Sequence, residues 1–465
     1  MIHLYKQNDI NICMDVESGA IHILEDSAYA ILEILSENAP ENCEEKYVLE
    51  KECPDYIKQR LPQFSAEEIE EAYTELFGLY EEDMLFAVRD YDIALQEQYP
   101  IKALCLHISH DCNLRCKYCF ADGGDFGGKR MNMPIEVAKK AIDFVIERSG
   151  TRRNLEIDFF GGEPLINFDV VKQTVEYARS IEKQHNKNFR FTLTTNGVLL
   201  TEDVMDYLNR EMSNVVLSLD GRKEVNDSVR IGVGGNGSYD RIVPKFQEFI
   251  KRRGDKSYYI RGTFTSQNLD FAEDVKHIKE LGFDQVSVEP VVLDNADPFA
   301  LREEHIPDIK AEYEKLTNYM ADLKKKGEFF NFFHFMIDLE QGPCVIKRVK
   351  GCGCGNEYVA ITPDGDIFPC HRFADKEEFC MGNVLKGTEI SEEMQKYFSR
   401  STVINKPECE KCWAKYYCSG GCPANNFNEN RDILKPHKVS CELERKRIEC
   451  AITLKCMALE DEDDA

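Results

Sequence analysis

The chain from residue 101 onward alternates strand-like apolar runs with helical patterns, and this alternation limits the fold more than any other feature of the sequence. Strands that alternate with helices of this length pair in parallel, because each crossover returns over one face of the sheet. The runs are residues 103–108, 155–160, 189–195, 215–219, 258–265 and 286–292. We predict an α/β fold whose parallel sheet curls into a partial (β/α)6 barrel of the TIM type. Its chemistry is then expected at the carboxyl ends of the strands.

Three cysteines follow the first of these strands in a C-x3-C-x2-C pattern, at Cys112, Cys116 and Cys119. Three thiolates from one short loop can hold a metal centre and leave one coordination position open for a substrate. A zinc knuckle is the other interpretation that this spacing allows. The triplet lies at the strand end where a barrel of this type places its chemistry.

The residues around the triplet resemble the radical S-adenosylmethionine (SAM) superfamily. An apolar run precedes the triplet, Tyr118 stands before the last cysteine, and Gly161-Gly162-Glu163-Pro164 follows the next strand. The resemblance implies a 4Fe-4S cluster on the three cysteines, with the amino and carboxylate groups of SAM on its fourth iron. One electron from the cluster would cleave SAM to methionine and a 5′-deoxyadenosyl radical.

Glycine and polar residues at the strand ends are predicted to complete a SAM pocket. Gly161 and Gly162 allow a close backbone approach to a ligand, and Glu163 is a candidate acceptor for the SAM ammonium. Residues 226–230 resemble the His-Asp-x-x-Arg loop of the superfamily, with Asn in place of His. Arg261 and Thr263 are further candidates to face the pocket. The predicted SAM-binding residues are Tyr118, Phe120, Gly161, Gly162, Glu163, Thr195, Asn196, Ser218, Asp220 and Arg230. No catalytic side chain is assigned beyond the cluster ligands.

A second group of cysteines lies near the end of the chain, where twelve of the nineteen follow residue 343. Their order, C-x10-G-x4-C and then C-x2-C-x5-C-x3-C and a last cysteine, matches the SPASM extension of radical SAM peptide-modifying enzymes. The sequence Pro363-Asp364-Gly365-Asp366 predicts a hairpin turn that brings Cys354 and Cys370 together. A structural zinc ribbon is the alternative.

The resemblance implies two auxiliary 4Fe-4S clusters, and thus three clusters in all. Cys409, Cys412, Cys418 and Cys441 would hold the outer cluster, and Cys354, Cys370 and Cys422 the inner one. The fourth ligand of the inner cluster stays open between Cys344 and Cys352. An incompletely ligated iron that binds a substrate thiolate is the third possibility.

Residues 1–90 are predicted to form a separate unit. Strand candidates at 2–5, 10–14 and 20–24 precede helices, and Ser65-x-x-Glu68 is a capping box that opens one of them. This order resembles the winged-helix-like elements of ribosomal-peptide-modifying enzymes, in which a leader peptide adds to an edge strand. A DNA-binding winged helix is the alternative, and the acidic character of the segment disfavours it.

Charge and composition restrict the partners. The net charge of −26 disfavours nucleic acid and anionic membranes, which require a basic face. Neither a signal peptide nor an apolar run of membrane-spanning length is evident, so we expect a cytoplasmic protein whose clustered cysteines bind metal. The predicted units are leader recognition 1–90, linker 91–100, barrel 101–326, connector 327–343, SPASM domain 344–456 and acidic tail 457–465.

The order of these units resembles maturases that install thioether crosslinks, and in particular the maturases of six-cysteine (SCIFF) peptides. The resemblance implies a cysteine-rich precursor peptide, bound through its leader and crosslinked in its core from a cysteine sulfur to a carbon, as in sactipeptides. A flavodoxin or ferredoxin would donate electrons. The alternatives are a SPASM enzyme that oxidises a single residue, as sulfatase maturases do, and a non-catalytic iron-sulfur protein that binds peptide.

Overall fold

The computed structural model describes residues 1–40, 45–89, 93–339 and 345–463. Parts of the predicted linker and connector, Cys344 and the last two residues of the predicted acidic tail lie outside these ranges. None of the helices in the described ranges combines the length and apolar character that crossing a bilayer requires.

The N-terminal unit is a three-stranded antiparallel sheet with helices packed on it. The Ser65 hydroxyl accepts from the Glu68 amide and the Glu68 carboxylate accepts from the Ser65 amide, which confirms the capping box. The elements are β1 (Ile2–Gln7), β2 (Ile10–Asp15), β3 (Ile21–Leu24), α1 (Asp26–Ser36), α2 (Asp55–Arg60) and α3 (Ala66–Glu81). The strand order is β1-β2-β3, so β3 lies at one edge of this sheet.

The predicted alternation of strands and helices is present in the central unit. It contains β4 (Ala103–Ser109), β5 (Leu114–Cys116), α4 (Ile135–Arg148), β6 (Asn154–Gly161), α5 (Phe168–Ile181), β7 (Asn188–Thr195), α6 (Glu202–Glu211), β8 (Asn214–Ser218), α7 (Lys223–Val229), β9 (Arg230–Gly232), α8 (Tyr239–Arg253), β10 (Tyr258–Phe264), α9 (Phe271–Glu280), β11 (Gln285–Pro290), α10 (Ile306–Lys325) and β12 (Asn331–Phe332).

Six parallel strands follow chain order across one sheet, as β4-β6-β7-β8-β10-β11. Side chains alternate along each of them, because successive residues of a strand point to opposite faces. Leu155, Ile157 and Phe159 of β6 are buried in the core that the helices cover, whereas Asp158 and Phe160 occupy the alternate positions. The alternate face carries polar residues, and the functional site lies on it.

The C-terminal unit is joined to the barrel through the same sheet. It contains α11 (Val345–Lys350), β13 (Tyr358–Ile361), β14 (Asp366–Phe368), β15 (Gly382–Asn383), α12 (Glu392–Ser399), α13 (Pro407–Glu410), α14 (Lys415–Cys418), α15 (Pro423–Asn430) and α16 (Lys438–Asp463). Strand β13 pairs in parallel with β4 and antiparallel with β14, so the predicted hairpin is present and extends the barrel sheet. The turn uses Gly365 at a φ of 91°, which favours glycine.

The first sheet and the last helix share one core. Ile10, Ile12 and Met14 of β2 are buried in a cluster with Ile448 and Ile452 of α16. The helix continues to Asp463, so the predicted acidic tail begins inside a regular helix. The N-terminal unit is therefore packed against the C-terminal unit through a shared hydrophobic core.

Replacement of Ile452 by alanine is expected to loosen the N-terminal sheet, although the two are far apart in sequence. Ile452 is fully buried, and a core Ile→Ala change costs about 2–5 kcal/mol. Hydrogen exchange followed by mass spectrometry should show faster exchange in β2. The control Val48→Ala, at a residue that is 77% exposed, should leave β2 unchanged. Equal protection in both variants would contradict a shared core.

Candidate cofactor site

A cavity of about 190 Å³ lies at the carboxyl ends of the barrel strands. Cys112, Cys116 and Cys119 line it, together with most of the residues predicted to bind SAM. The predicted residues on its wall are Tyr118, Phe120, Gly161, Gly162, Glu163, Thr195, Asn196, Ser218 and Arg230. Residues from the ends of β6, β7 and β8, the first residue of β9 and the cysteine loop thus meet around one space.

The cysteine loop is held by a small second sheet. Strand β5 pairs antiparallel with β9, which sets Cys116 opposite Arg230. The Lys117 amide donates to the Val229 carbonyl at 3.0 Å. The predicted loop at residues 226–230 therefore supports the cysteine loop directly, and this contact explains why the two motifs lie together.

Gly161 and Gly162 allow two backbone segments of the protein to approach each other closely. A Cβ at Gly161 would stand 2.4 Å from the Ser109 carbonyl oxygen, and one at Gly162 would stand 2.2 Å from that of Asp111. The amides of Gly162 and Glu163 donate to these same two carbonyls at 2.8 and 2.9 Å. The end of β6 thus fits against the segment that leads into Cys112 only because both residues lack side chains.

Glu163 is buried and held by three donors. Its Oε1 accepts from the Leu165 amide at 3.1 Å and from the Thr195 hydroxyl at 2.8 Å. Its Oε2 accepts from the Asn196 amide at 2.8 Å. Burial raises the pKa of this carboxyl to about 7, against the effect of these donors. The Oε2 atom keeps a lone pair for a cationic ligand group in the cavity.

Asp220, which was predicted to bind SAM, stands behind the cavity wall and is not among the residues that line the space. It is fully buried. Its Oδ2 accepts from the Tyr118 hydroxyl at 2.6 Å and lies 2.9 Å from Nε of Arg230. Its Oδ1 accepts from the Thr263 amide at 2.9 Å. Asp220 therefore orients Tyr118 and Arg230, because a buried carboxylate holds the groups to which it is hydrogen-bonded or ion-paired.

Asn196 reaches toward the cysteine loop. Its Nδ2 donates to Oδ1 of Asn113 at 2.8 Å and lies 3.6 Å from Sγ of Cys112. Its Oδ1 accepts from the Val198 amide at 3.0 Å. The side chain links the end of β7 to the first cysteine, so it positions the loop as well as lining the cavity.

Part of the cavity wall comes from residues outside the predicted SAM-binding set. Arg261 and Thr263 of β10, the two further candidates, line the cavity. Glu289 of β11 and the pair His371 and Arg372, which were not predicted, line it as well. Glu289 alternates with buried Val288 on its strand, which was a usable signal. His371 and Arg372 come from the C-terminal unit, and nothing in the linear sequence places them at the barrel.

The cysteines predicted for the outer cluster share one cavity of about 410 Å³. Its wall contains Cys409, Cys412, Cys418 and Cys441. Burial raises the pKa of the Cys409 thiol to about 11. A bound metal centre stabilises the thiolate form and would reverse such a shift. Four thiols around one space fit an iron-sulfur cluster, whose preferred ligands are cysteine thiolates.

The cysteines predicted for the inner cluster are also grouped. Cys354 and Cys370 are buried in one cluster, and the partly buried Cys422 packs against it. Cys352 lines one cavity together with Cys354 and another together with Cys422. Of the two candidate fourth ligands, Cys352 lies with this group, and Cys344 is outside the described residues. In the described part of the chain, no three His, Cys, Asp or Glu side chains are arranged to hold a single metal ion.

A larger cavity of about 660 Å³ adjoins the first one. The two share Arg261, Glu289, His371 and Arg372 in their walls. The far wall of the larger cavity contains the cysteines at 352, 418, 422 and 441. The first cavity thus adjoins the space beside these cysteines.

Comparisons with known proteins agree with this arrangement. Residues 106–261 match the model of the radical SAM superfamily, and residues 352–413 match that of SPASM, an iron-sulfur cluster-binding domain. The radical SAM cyclopropyl synthase TigE of Paramaledivibacter caminithermalis is 26% identical over 363 residues, 74% of this chain and 72% of that protein. A cysteine-type anaerobic sulfatase-maturating enzyme of Clostridium novyi is 27% identical over 340 residues, 68% of this chain and 86% of that protein.

Two solved structures share the fold. Native anSMEcpe with bound AdoMet has a TM-score of 0.62 at 20% identity and covers 77% of this chain and 99% of that one. Streptococcus suis SuiB bound to S-adenosylmethionine has a TM-score of 0.52 at 17% identity and covers 94% of this chain and 98% of that one. Because the match to SuiB covers 94% of this chain, it includes most of the N-terminal unit.

Removal of the Asp220 charge is expected to destabilise the chain strongly, because Arg230 would be left as an unpaired buried cation. Asp220→Asn should lower the free energy of unfolding by about 3–5 kcal/mol. Tyr118→Phe removes only one hydrogen bond to the same carboxylate and should cost about 1 kcal/mol. Urea unfolding of the metal-free chain measures both. Similar costs in the two variants would mean that Asp220 does not support Arg230.

Proposed function

We propose that this chain, which carries a radical SAM domain followed by a SPASM iron-sulfur cluster-binding domain, is a maturase that forms a thioether within a precursor peptide. The bond would join a cysteine sulfur to a carbon of another residue. When bound, SAM and three 4Fe-4S clusters supply hydrogen abstraction and one-electron chemistry. The residues of the chain hold these groups, bind the peptide and exclude water. A flavodoxin or ferredoxin is the proposed electron donor.

The observation that carries the proposal is the shared wall of the two cavities. A substrate carbon in the first cavity would lie beside the cysteine triplet, while a thiol of the same peptide reaches the space beside Cys352 and Cys422. Arg261, Glu289 and Arg372 stand at the junction of the two spaces. Reacting atoms brought together in this way gain effective concentration. This geometry suits the joining of two residues of one peptide.

The N-terminal unit supports a peptide as the substrate. Within the described residues β3 pairs only with β2, so its other edge offers free backbone groups. A groove of about 1110 Å³ runs between this edge and α3, with Ile23, Ala72 and Leu76 among its lining residues. An extended segment can add to such an edge as a further strand. SuiB, whose fold is shared, has also been solved with its precursor peptide SuiA.

A short segment leads from this groove to the larger cavity. Leu339 lines the groove, and Met336, Ile337 and Asp338 line the cavity. Four residues of extended chain span at most about 14 Å. A peptide whose leader occupies the groove therefore needs only a short continuation to place its core beside the auxiliary cysteines.

A sulfatase-maturase activity, in which a single residue is oxidised to a carbonyl, is the second candidate. The similarity to the Clostridium novyi enzyme favours it. That chemistry acts on one residue and does not need a leader bound at the edge of β3. The two candidates therefore differ in their product and in their dependence on the groove.

Anaerobic incubation of the reconstituted enzyme with SAM, a reductant and a cysteine-rich precursor peptide tests the product. A thioether lowers the peptide mass by two hydrogens and removes one alkylatable thiol, with one 5′-deoxyadenosine released per crosslink. A carbonyl formed from cysteine instead removes sulfur and reacts with a hydrazide. Mass spectrometry before and after alkylation and hydrazide treatment separates these results. Release of 5′-deoxyadenosine with an unchanged peptide would contradict both candidates for this substrate.

Substitution of Ile23 by aspartate tests the groove. Ile23 is 41% exposed on the free edge strand, and a carboxylate there would oppose strand addition by losing apolar contact. We expect at least a tenfold rise in the Kd of the same peptide, measured by fluorescence anisotropy. Val48→Asp, in the same unit but outside the groove lining, is the matched control. Deletion of the whole unit is a poorer test, because that unit shares a core with α16.

An unchanged Kd in Ile23→Asp would remove the leader site from the proposal. It would leave the sulfatase-maturase candidate in place, since that activity needs no leader.

A further inference from the structure

Lys406 is a fully buried lysine between the two auxiliary cysteine sets. Its side chain is not exposed to solvent at all. Its ammonium donates to the Gly420 carbonyl at 2.6 Å. Among the residues that the structure describes, no aspartate or glutamate forms an ion pair with it. A buried ammonium without an anionic partner is costly, so the surroundings have to supply negative charge.

Gly420 places the ammonium beside the cavity of the outer cysteines, because it lines that cavity together with Cys409 and Cys418. Gly420 lies between Cys418, assigned to the outer cluster, and Cys422, assigned to the inner one. Ser419, Gly420 and Gly421 have φ angles of 58°, 84° and 71°, so the loop turns sharply and presents its carbonyl to Lys406. The contact is close, because a Cβ at Gly420 would stand 3.4 Å from the lysine Nζ.

The ionisable neighbours of Lys406 are cysteines of both sets. Burial lowers the pKa of its ammonium, and thiolates at Cys409 and Cys418 on the outer side, and at Cys422 and Cys352 on the inner side, would oppose this shift. Thiolates that ligate iron carry the negative charge that Lys406 otherwise lacks. The lysine thus fits a chain that holds both clusters.

A second buried lysine nearby provides a contrast. Lys415 lies between Cys412 and Cys418, and its ammonium is 2.6 Å from Oε1 of Glu17, with side chains that are 1% and 2% exposed. The Tyr416 hydroxyl donates to Oε2 of Glu17 at 2.8 Å. The charge of Lys415 is thus largely compensated by the N-terminal unit, whereas that of Lys406 is not.

We propose that Lys406 is a cation shared by the inner and outer auxiliary clusters, and that it raises the reduction potential of both. A positive charge stabilises the reduced form of a cluster, which carries one more negative charge. The proposal rests on the two auxiliary clusters of the proposed function. It does not depend on the identity of the peptide or of the product.

The test is a redox titration of the reconstituted enzyme, followed by electron paramagnetic resonance, for Lys406→Met and Lys406→Gln. Both variants remove the charge, but glutamine can still donate to the Gly420 carbonyl. We expect both to shift both auxiliary clusters to lower potential, while the cluster on the Cys112 triplet keeps its potential and serves as an internal standard. A lower potential in Lys406→Met with a normal one in Lys406→Gln would show that only the hydrogen bond matters, and would overturn the proposal.

The double variant Glu17→Gln/Lys415→Met is the matched control, since it removes a compensated pair beside the outer cluster. It should leave both auxiliary potentials close to those of the parent enzyme, whereas Glu17→Gln alone should raise that of the outer cluster. Unchanged potentials in both Lys406 variants, with full iron content, would overturn this inference alone. A parent enzyme with fewer than two auxiliary signals would overturn the cluster assignment of the proposed function as well.

Discussion

The pairing of β13 with β4 is the contact on which the rest of the architecture depends. It sets Tyr358 opposite Ala103 and Ile361 opposite Leu106, and thereby joins the cysteine-rich unit to the first barrel strand. Buried Glu357 anchors the start of this pairing, with Lys350, Lys102 and Arg152 at 2.8, 3.1 and 3.5 Å. Strand β14 runs antiparallel to β13, and the segment that follows it places His371 and Arg372 in the wall of the cavity that contains the cysteine triplet. A change of register here would separate the two cavities.

Several positive charges are buried, although the chain as a whole is strongly negative. The chain has a net charge of −26, yet Arg230, Lys406 and Lys415 are buried beside predicted cluster ligands. Arg230 and Lys415 have carboxylate partners in Asp220 and Glu17. Lys406 has cysteine side chains, and no carboxylate among the described residues, as its ionisable neighbours. Thiolate-bound clusters make this distribution understandable, because their negative charge requires cations at short range in a medium of low dielectric constant.

The N-terminal unit contributes to more than one function in this arrangement. Its free edge strand forms one side of the proposed leader groove, its Glu17 compensates Lys415, and its sheet covers α16. A unit that shares a hydrophobic core with the rest of the chain is expected to unfold with it. The proposed leader groove and the cysteines predicted for the outer cluster are therefore expected to lose their structure together on unfolding.

Much of the local structure was predictable from the sequence by itself. The six parallel strands, the capping box at Ser65, the hairpin at Gly365 and the cysteine motifs depend on short-range periodicity, turn chemistry and ligand spacing, which a linear sequence records. Nine of the ten residues predicted to bind SAM line one cavity, since strand ends in a parallel barrel converge on one side. The glycines at 161 and 162 were identified from the sequence, but only the structure shows that they leave room for the carbonyls of Ser109 and Asp111 at close range.

Only the tertiary structure decided the roles that depend on packing between distant segments. It shows that Asp220 lies behind the cavity wall, where its carboxylate contacts Tyr118, Arg230 and Thr263. It brought His371 and Arg372 to the barrel, grouped Cys352 with the inner cysteines, and joined the first sheet to the last helix. These contacts link residues that are far apart in sequence. Their partners are selected by shape, burial and charge in three dimensions, for which the local pattern carries no signal.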